Sequence, residues 1–575
     1  MTIRTQLAVA LLALSAVLSA NAAPTFVVTL PATFQGGAQE GRLLLILAPK
    51  DQTPNKEPRE MVAWDDEAIP FYGIDIEGWQ PGSTRTIDAK AFGFPVRSLK
   101  DLPEGRYRVQ AVLNRYETFH MGDGRVLKLA PDKGEGQQWA EKPGNLYSKP
   151  FDITVKPRQA GTVKLSLSEE IPPVKPFMET PYVKRISVKS ERLSKFWGRD
   201  VALSAFVTLP WGYDTHPDAR YPLVIAHGHF PSKPGGWRET PPEPNLKPEY
   251  SKRFNLEGAN RIDQQLQYEL FQAWTGPDFP RVLLIDIQHP TPFYDDSYAV
   301  NSANNGPYGD AIQYDLLPEI EKRFRAIGQG WARFVYGGST GGWEAMAVQM
   351  FYPDDYNGAW VACPDPIDFH EYMTVDLYND KNAYFMASRF KRTPRPAHRN
   401  WLGHINTTME ENHNWEWALG THGRSGDQFD AWESVYSPVG PDGYPRRVWD
   451  PLTGDIDPIT VAYWKEHYDL GHILQRDWAT LGPKLRGKLR IYVGSMDNYY
   501  LNNAVYRVEA FLKSANPPAD AVVEYGDRAE HCWNGDHTRP NAYSRMRYPQ
   551  MVLPWAVERM LKTAPAGADI KSWRY

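Results

Sequence analysis

A serine hydroxyl becomes a useful nucleophile only when backbone and neighbours prepare it, and one serine of this chain stands where both can happen. In RFVYGGSTGGWEAMAVQMF an apolar strand runs into Gly337-Gly338-Ser339-Thr340-Gly341-Gly342 and then into a helical stretch beginning near Trp343. The G-x-S-x-G pattern needs its glycines because the serine sits on a strained strand-to-helix turn, where flanking side chains would collide with the neighbouring strand and helix. The helix N-terminus behind it favours the negative charge of a tetrahedral oxyanion. The chemistry indicated is acyl transfer with Ser339 as nucleophile.

Such a serine requires a base and an orienting acid, which in this kind of fold follow in the order Ser, acid, His. Asp497 comes just after the apolar run LRIYVG, and His531 lies in the loop after the last strand. His537 is a competing base and Asp365, after GAWVAC, a competing acid. The oxyanion hole is expected from the backbone N–H of Thr340 and one from the loop His227-Gly228-His229-Phe230, with His229 the assigned donor. Trp343, Trp417 and Trp533 are the expected substrate-contacting aromatics. Two histidines one residue apart, His227 and His229, lack the further ligands of a zinc site. Asp450, Asp455 and Asp457 could hold calcium but lack EF-hand spacing and read better as a solvated turn. No metal and no cofactor is expected.

These residues need a scaffold. YPLVIA (221–226), VLLIDI (282–287), RFVYG (333–337), GAWVAC (358–363), LRIYVG (489–494) and AVVEY (521–525) are nearly continuous apolar runs, as in parallel strands buried on both faces. Helical spacing of Ile312, Leu316, Leu317 and Ile320 predicts a helix over 308–327. The fold class is therefore α/β, with a mostly parallel sheet between helices over 184–565. Residues 364–488 exceed any crossover, are rich in tryptophan (Trp401, Trp415, Trp417, Trp432, Trp449 and Trp464 among them) and read as a cap insertion over the sheet's C-terminal edge. Upstream, TFVVTL, RLLLILA, YRVQAVL, RVLKLA, FDITV and TVKLSL predict an antiparallel β-sandwich over 24–170, joined by a Pro-rich linker at 171–183.

Arg4, an apolar run from Leu7 to Leu18 and small residues through Ala23 make residues 1–23 a secretory signal, which implies a periplasmic or extracellular protein. An exported chain with two cysteines, Cys363 and Cys532, is expected to pair them, because both positions converge beside the nucleophile turn. The net charge of -5 comes without a basic stripe, which argues against a nucleic-acid partner. No later segment reads as a membrane span. No sequence pattern specifies an oligomeric state.

LPWGYDTHPDARYPLVIAHG, PYGDAIQYDLLPEIEKRF and YGGSTGGWEAM together resemble the esterase D and feruloyl-esterase-like branch of the α/β-hydrolases, to which enterochelin esterases are similar. The resemblance covers about residues 200–365 well and the Asp497 and His531 regions more loosely. It implies ester hydrolysis without a metal or organic cofactor, with Ser339, Asp497 and His531 as the triad, on a small-molecule or saccharide ester. The long insertion and HGHF in place of a simpler HGG-like loop depart from that branch. An acyltransferase or peptidase with the same triad, and a non-catalytic carbohydrate-binding protein, are the competing readings.

Overall fold

The computed structural model describes residues 23–575 apart from 53–55, 137, 157–160, 230–233, 235, 252–255, 294–295 and 540–546. The expected export signal, residues 1–23, therefore lies outside the described residues but for Ala23. Contacts divide the chain into two units. The first comprises residues up to Thr118, Lys128–Lys175 and Glu410–Asp430, and the second Phe119–Leu127, Pro176–Met409 and Ala431–Tyr575.

In the first unit the strand Gln39–Pro49 explains the layering. Its run of apolar residues is continuous rather than alternating, so both faces must be covered. Leu43, Leu45 and Leu47 join Phe26, Val28 and Leu165 in one core, whereas Leu44, Ile46 and Ala48 join Phe71, Phe94, Trp415, Ala418 and Leu419 in another. The second core is closed by the helix Met409–Leu419, a segment of the long insertion. Arg42 holds its C-terminal end: Nε donates to the Ala418 carbonyl (3.1 Å) and Nη2 to that of Trp417 (3.0 Å), satisfying carbonyls the helix leaves open. The expected wholly antiparallel arrangement is corrected at one pair. Thr25–Thr29 runs parallel to Thr162–Ser166, because these early and late strands are joined through the whole intervening sheet and not by a turn.

The second unit is built on eight strands: β1 (Val183–Lys189), β2 (Ala202–Thr208), β3 (Leu223–His227), β4 (Leu283–Gln288), β5 (Arg333–Gly338), β6 (Ala359–Ala362), β7 (Leu489–Gly494) and β8 (Val522–Gly526). Their order is β1-β2-β4-β3-β5-β6-β7-β8, with β1–β2 and β2–β4 antiparallel and every later pair parallel. The stretch predicted as a helix over 308–327 is helical from Tyr308 to Arg323, with a π turn at Ile312–Leu316. Helix α1 (Thr340–Phe351) follows β5 and is buried from Thr340 through Met350. Outside 410–430 the insertion has an aromatic core of its own, in which Trp464 meets Phe369, Tyr372 and Tyr436 at 5.2–5.8 Å between ring centroids. Trp449 and Trp464 are buried core residues, and Trp401 is exposed.

Candidate active site

The turn between β5 and α1 shows why its glycines are there. Ser339 has φ 59° and ψ −124°, a conformation non-glycine residues rarely hold. A Cβ on Gly337 would lie 2.3 Å from the Gly341 carbonyl oxygen, and one on Gly341 would lie 2.1 Å from that of His227. Only glycine lets β3, β5 and α1 approach this closely. The strain at Ser339 is opposed by hydrogen bonds on both sides. Its N–H donates to the Ala362 carbonyl (3.1 Å), and its own carbonyl accepts from Gly342 (2.9 Å) and Trp343 (3.1 Å).

The ends of β7 and β8 bring in the partners. His531 Nε2 is 2.8 Å from Ser339 Oγ, and His531 Nδ1 is 2.8 Å from Asp497 Oδ2. Asp497 is fully buried, and its Oδ1 accepts from the N–H groups of Tyr499 (3.0 Å) and Leu501 (3.4 Å). The His531 N–H donates to Asn498 Oδ1 (3.0 Å), and Asn498 Nδ2 donates to Glu530 and to the Arg399 carbonyl (both 2.8 Å). Burial alone would lower the His531 pKa. The Cys532 sulfur and the Asp497 carboxylate outweigh it and hold the imidazole above its ordinary value. His537 stands elsewhere, exposed and paired with Glu524 at 2.9 Å.

Asp365, the competing acid, contacts the nucleophile turn instead of orienting the imidazole. Its Oδ1 is 3.4 Å from Ser339 Oγ, while Oδ2 accepts from Tyr298 (2.7 Å), Thr340 Oγ1 (3.1 Å) and Trp432 Nε1 (3.1 Å). Burial raises its pKa, against the donors that surround it. Thr340 is fully buried at the N-terminus of α1. His229 Nε2 lies 3.4 Å from Thr340 Oγ1, and His229 Nδ1 lies 3.3 Å from Asp296 Oδ2. Burial would raise the Asp296 carboxyl, but the bond and charge of His229 hold it below the ordinary value. Asp296 and Tyr298 were not singled out from sequence, and Trp432 only as one of the insertion's tryptophans. They carry no motif, and only the fold collects them.

Three expected assignments change, those of Trp343, Trp533 and the two cysteines. Trp343 cannot face a ligand, because α1 is enclosed on every side and the ring packs against Tyr298 and Tyr436. Trp417 lies in the first unit, where it meets Phe92 and His422. Trp533 is buried under the His531 loop against Tyr492. Cys363 and Cys532 do come together beside the turn, but as two thiols and not as a disulfide. Their sulfurs and a His531 nitrogen lie within 4.8 Å of one another, and Cys363 Sγ is engaged by the Ser339 N–H at 3.3 Å.

Among the described residues two triplets have metal-like spacing, Cys363–His531–Cys532 and His227–His289–Glu344. In the first, both His531 nitrogens already serve Asp497 and Ser339. In the second, His289 Nδ1 accepts from the Ser297 N–H, which leaves its proton on Nε2, the atom facing Glu344 at 3.9 Å. Burial first of all pulls His227 down to about 3 and His289 to about 4, so both are neutral near pH 7. The acidic cluster is spent on local structure. Asp450 accepts from Leu452 and Thr453, Asp455 pairs with Thr453 and Asn382, and Asp457 caps the helix Pro458–His467.

No family model matches the chain, and no curated protein does. Solved structures similar to it include a ferulic acid esterase (12% identity, 66% of this chain and 99% of that one, TM-score 0.35). An S-formylglutathione hydrolase from Agrobacterium tumefaciens (13%, 66% and 98%, 0.31) and a fluorophosphonate-binding serine hydrolase from Staphylococcus aureus (13%, 66% and 99%, 0.30) are also similar. These fall in the group that the sequence motifs resemble. Likeness at this level carries no argument about activity, for which the side chains of the site must answer.

Proposed function

We propose that the protein is an exported serine hydrolase that cleaves carboxylic esters through an acyl-enzyme. The observation that carries this reading is the unbroken line from Asp497 Oδ2 through His531 to Ser339 Oγ, two contacts of 2.8 Å each, on a serine held at positive φ. Ser339 Oγ attacks the acyl carbon while His531 Nε2 takes its proton, and Asp497 keeps the other imidazole proton on Nδ1. The N–H of Thr340, with one from the Gly228–His229 loop, faces the tetrahedral oxyanion. Collapse returns the proton to the departing alcohol. Water then repeats the sequence on the acyl group, and no step calls for a metal or organic cofactor. The signal-like residues 1–23 support export, and a small-molecule or saccharide ester is the substrate class.

Labelling with a fluorophosphonate, peptide mapping of the adduct and a panel of acetyl, aryl and long-chain nitrophenyl esters test the reading. Ser339 is the expected adduct site, and Ser339→Ala is expected to lose labelling and turnover together. Turnover by Ser339→Ala above about 1% of wild type would overturn it, since removing a triad nucleophile costs several orders of magnitude.

A further inference from the structure

Beside the nucleophile turn, in contact with Thr340, stands a second imidazole–carboxylate pair, His229–Asp296. His229 follows β3 and keeps a third of its side chain exposed, whereas Asp296 is fully buried. The ring is fixed at both nitrogens, Nδ1 by Asp296 Oδ2 at 3.3 Å and Nε2 by Thr340 Oγ1 at 3.4 Å. Asp296 is itself anchored, its Oδ1 accepting from the Tyr298 N–H at 2.8 Å.

The hydroxyl protons nearby favour one set of roles. Thr340 has one hydroxyl proton, which goes to Asp365 Oδ2, and the Tyr298 hydroxyl proton goes to the same oxygen. With that proton on Asp365, a shorter contact than the one to His229, Thr340 Oγ1 offers His229 a lone pair, and a proton on Nε2 is the matching arrangement. Asp296, a carboxylate, can only accept from the ring. His229 then presents an Nε2–H, backed by a buried carboxylate and aimed at Thr340, whose own N–H adjoins the developing oxyanion.

We infer that the His229 Nε2–H is a side-chain donor of the oxyanion hole, oriented by Asp296 and Thr340 and acting with the backbone N–H groups on the tetrahedral intermediate. The inference rests on the acyl-enzyme reading above. On attack the carbonyl oxygen gains the charge as the Ser339 proton passes to His531, and the His229 N–H turns from Thr340 Oγ1 to that oxygen. No proton leaves His229 in the cycle. Its role is electrostatic, which sets it apart from a second base.

The test is the rate constant for Ser339 modification by a fluorophosphonate, whose phosphoryl oxygen occupies the oxyanion position, together with kcat and KM for neutral nitrophenyl acetate. His229→Ala is expected to slow modification and kcat about 100-fold with KM little changed, the usual effect of losing one such donor. His229→Gln, which keeps an N–H donor, is expected to recover at least tenfold of that loss, and exposed His537→Ala to behave as wild type. Thermal unfolding of each variant reports whether the fold survives, and His229→Gln stands in for His229→Ala if the latter is unfolded. Wild-type rates in His229→Ala, with Ser339→Ala unlabelled, would overturn this inference and leave the triad standing. A loss confined to KM for carboxylate-bearing esters would also overturn it, making His229 a handle for acidic substrates. A wild-type protein that no fluorophosphonate labels would remove the acyl-enzyme reading itself.

Discussion

Replacing Asp497 by asparagine changes one atom type and should be more damaging than deleting the carboxylate. In the folded protein Oδ1 accepts from two backbone N–H groups and Oδ2 from His531 Nδ1. The asparagine oxygen must take the backbone side, because an amide NH2 there would face two donors. The amide then points its own N–H at His531 Nδ1, which becomes an acceptor and moves the ring proton to Nε2. That proton faces Ser339 Oγ, so the base is occupied before the reaction starts. A wrong-tautomer substitution of this kind costs about 10⁴ in kcat, or roughly 5 kcal/mol of barrier. Asp497→Ala leaves the tautomer free and should lose less. The assay is steady-state hydrolysis of nitrophenyl acetate near pH 8, with thermal unfolding as the control for folding. A loss under about tenfold in Asp497→Asn, or an alanine variant slower than the asparagine variant, would refute the tautomer argument.

The pH profile should show its acid limb in kcat/KM above pH 6.5, because free His531 must be neutral to act and its pKa is held above the ordinary value; a limb below pH 6 would contradict the environment described. Trp464→Ala should destabilise the second unit by about 3–5 kcal/mol, read by denaturant unfolding, since the ring is fully buried among Phe369, Tyr372 and Tyr436; a cost under 1 kcal/mol would mean the insertion's aromatic core is loosely packed. Thiol counting on unfolded, unreduced protein should find two reactive groups per chain, and a count of zero would show that Cys363 and Cys532 bond in solution.

What was legible follows from how local each signal is. The nucleophile turn is written in consecutive residues, because the strained serine and its close neighbours demand glycine at fixed positions. Asp497 and His531 could be picked because each follows a recognisable apolar strand. The opening strands were harder: Val183–Lys189 lies at the sheet edge, with polar residues between its buried ones, and so lacks the continuous apolar run of β3 to β7. Asp296 and Tyr298 could not be read at all, since neither sits in a motif. Tryptophan was the misleading signal. Trp343, Trp432, Trp449, Trp464 and Trp533 are aromatic enough to line a ligand surface, yet their burial shows them filling space. The Trp432 indole N–H is spent on Asp365.

The helix Met409–Leu419 also bears on the order in which the chain acquires its structure. Strands that begin at Thr25 wait for Trp415, Ala418 and Leu419 to cover Leu44, Ile46 and Phe71. During synthesis, which adds residues from the N-terminus at about 5–20 per second, that sheet face stays bare until more than two thirds of the polypeptide has been made. The unit whose strands come first is thus among the last to close. A fragment ending at Lys175 would carry an uncovered apolar face and invite aggregation, whereas the same fragment supplied with a peptide spanning 409–430 has what it needs to bury that face.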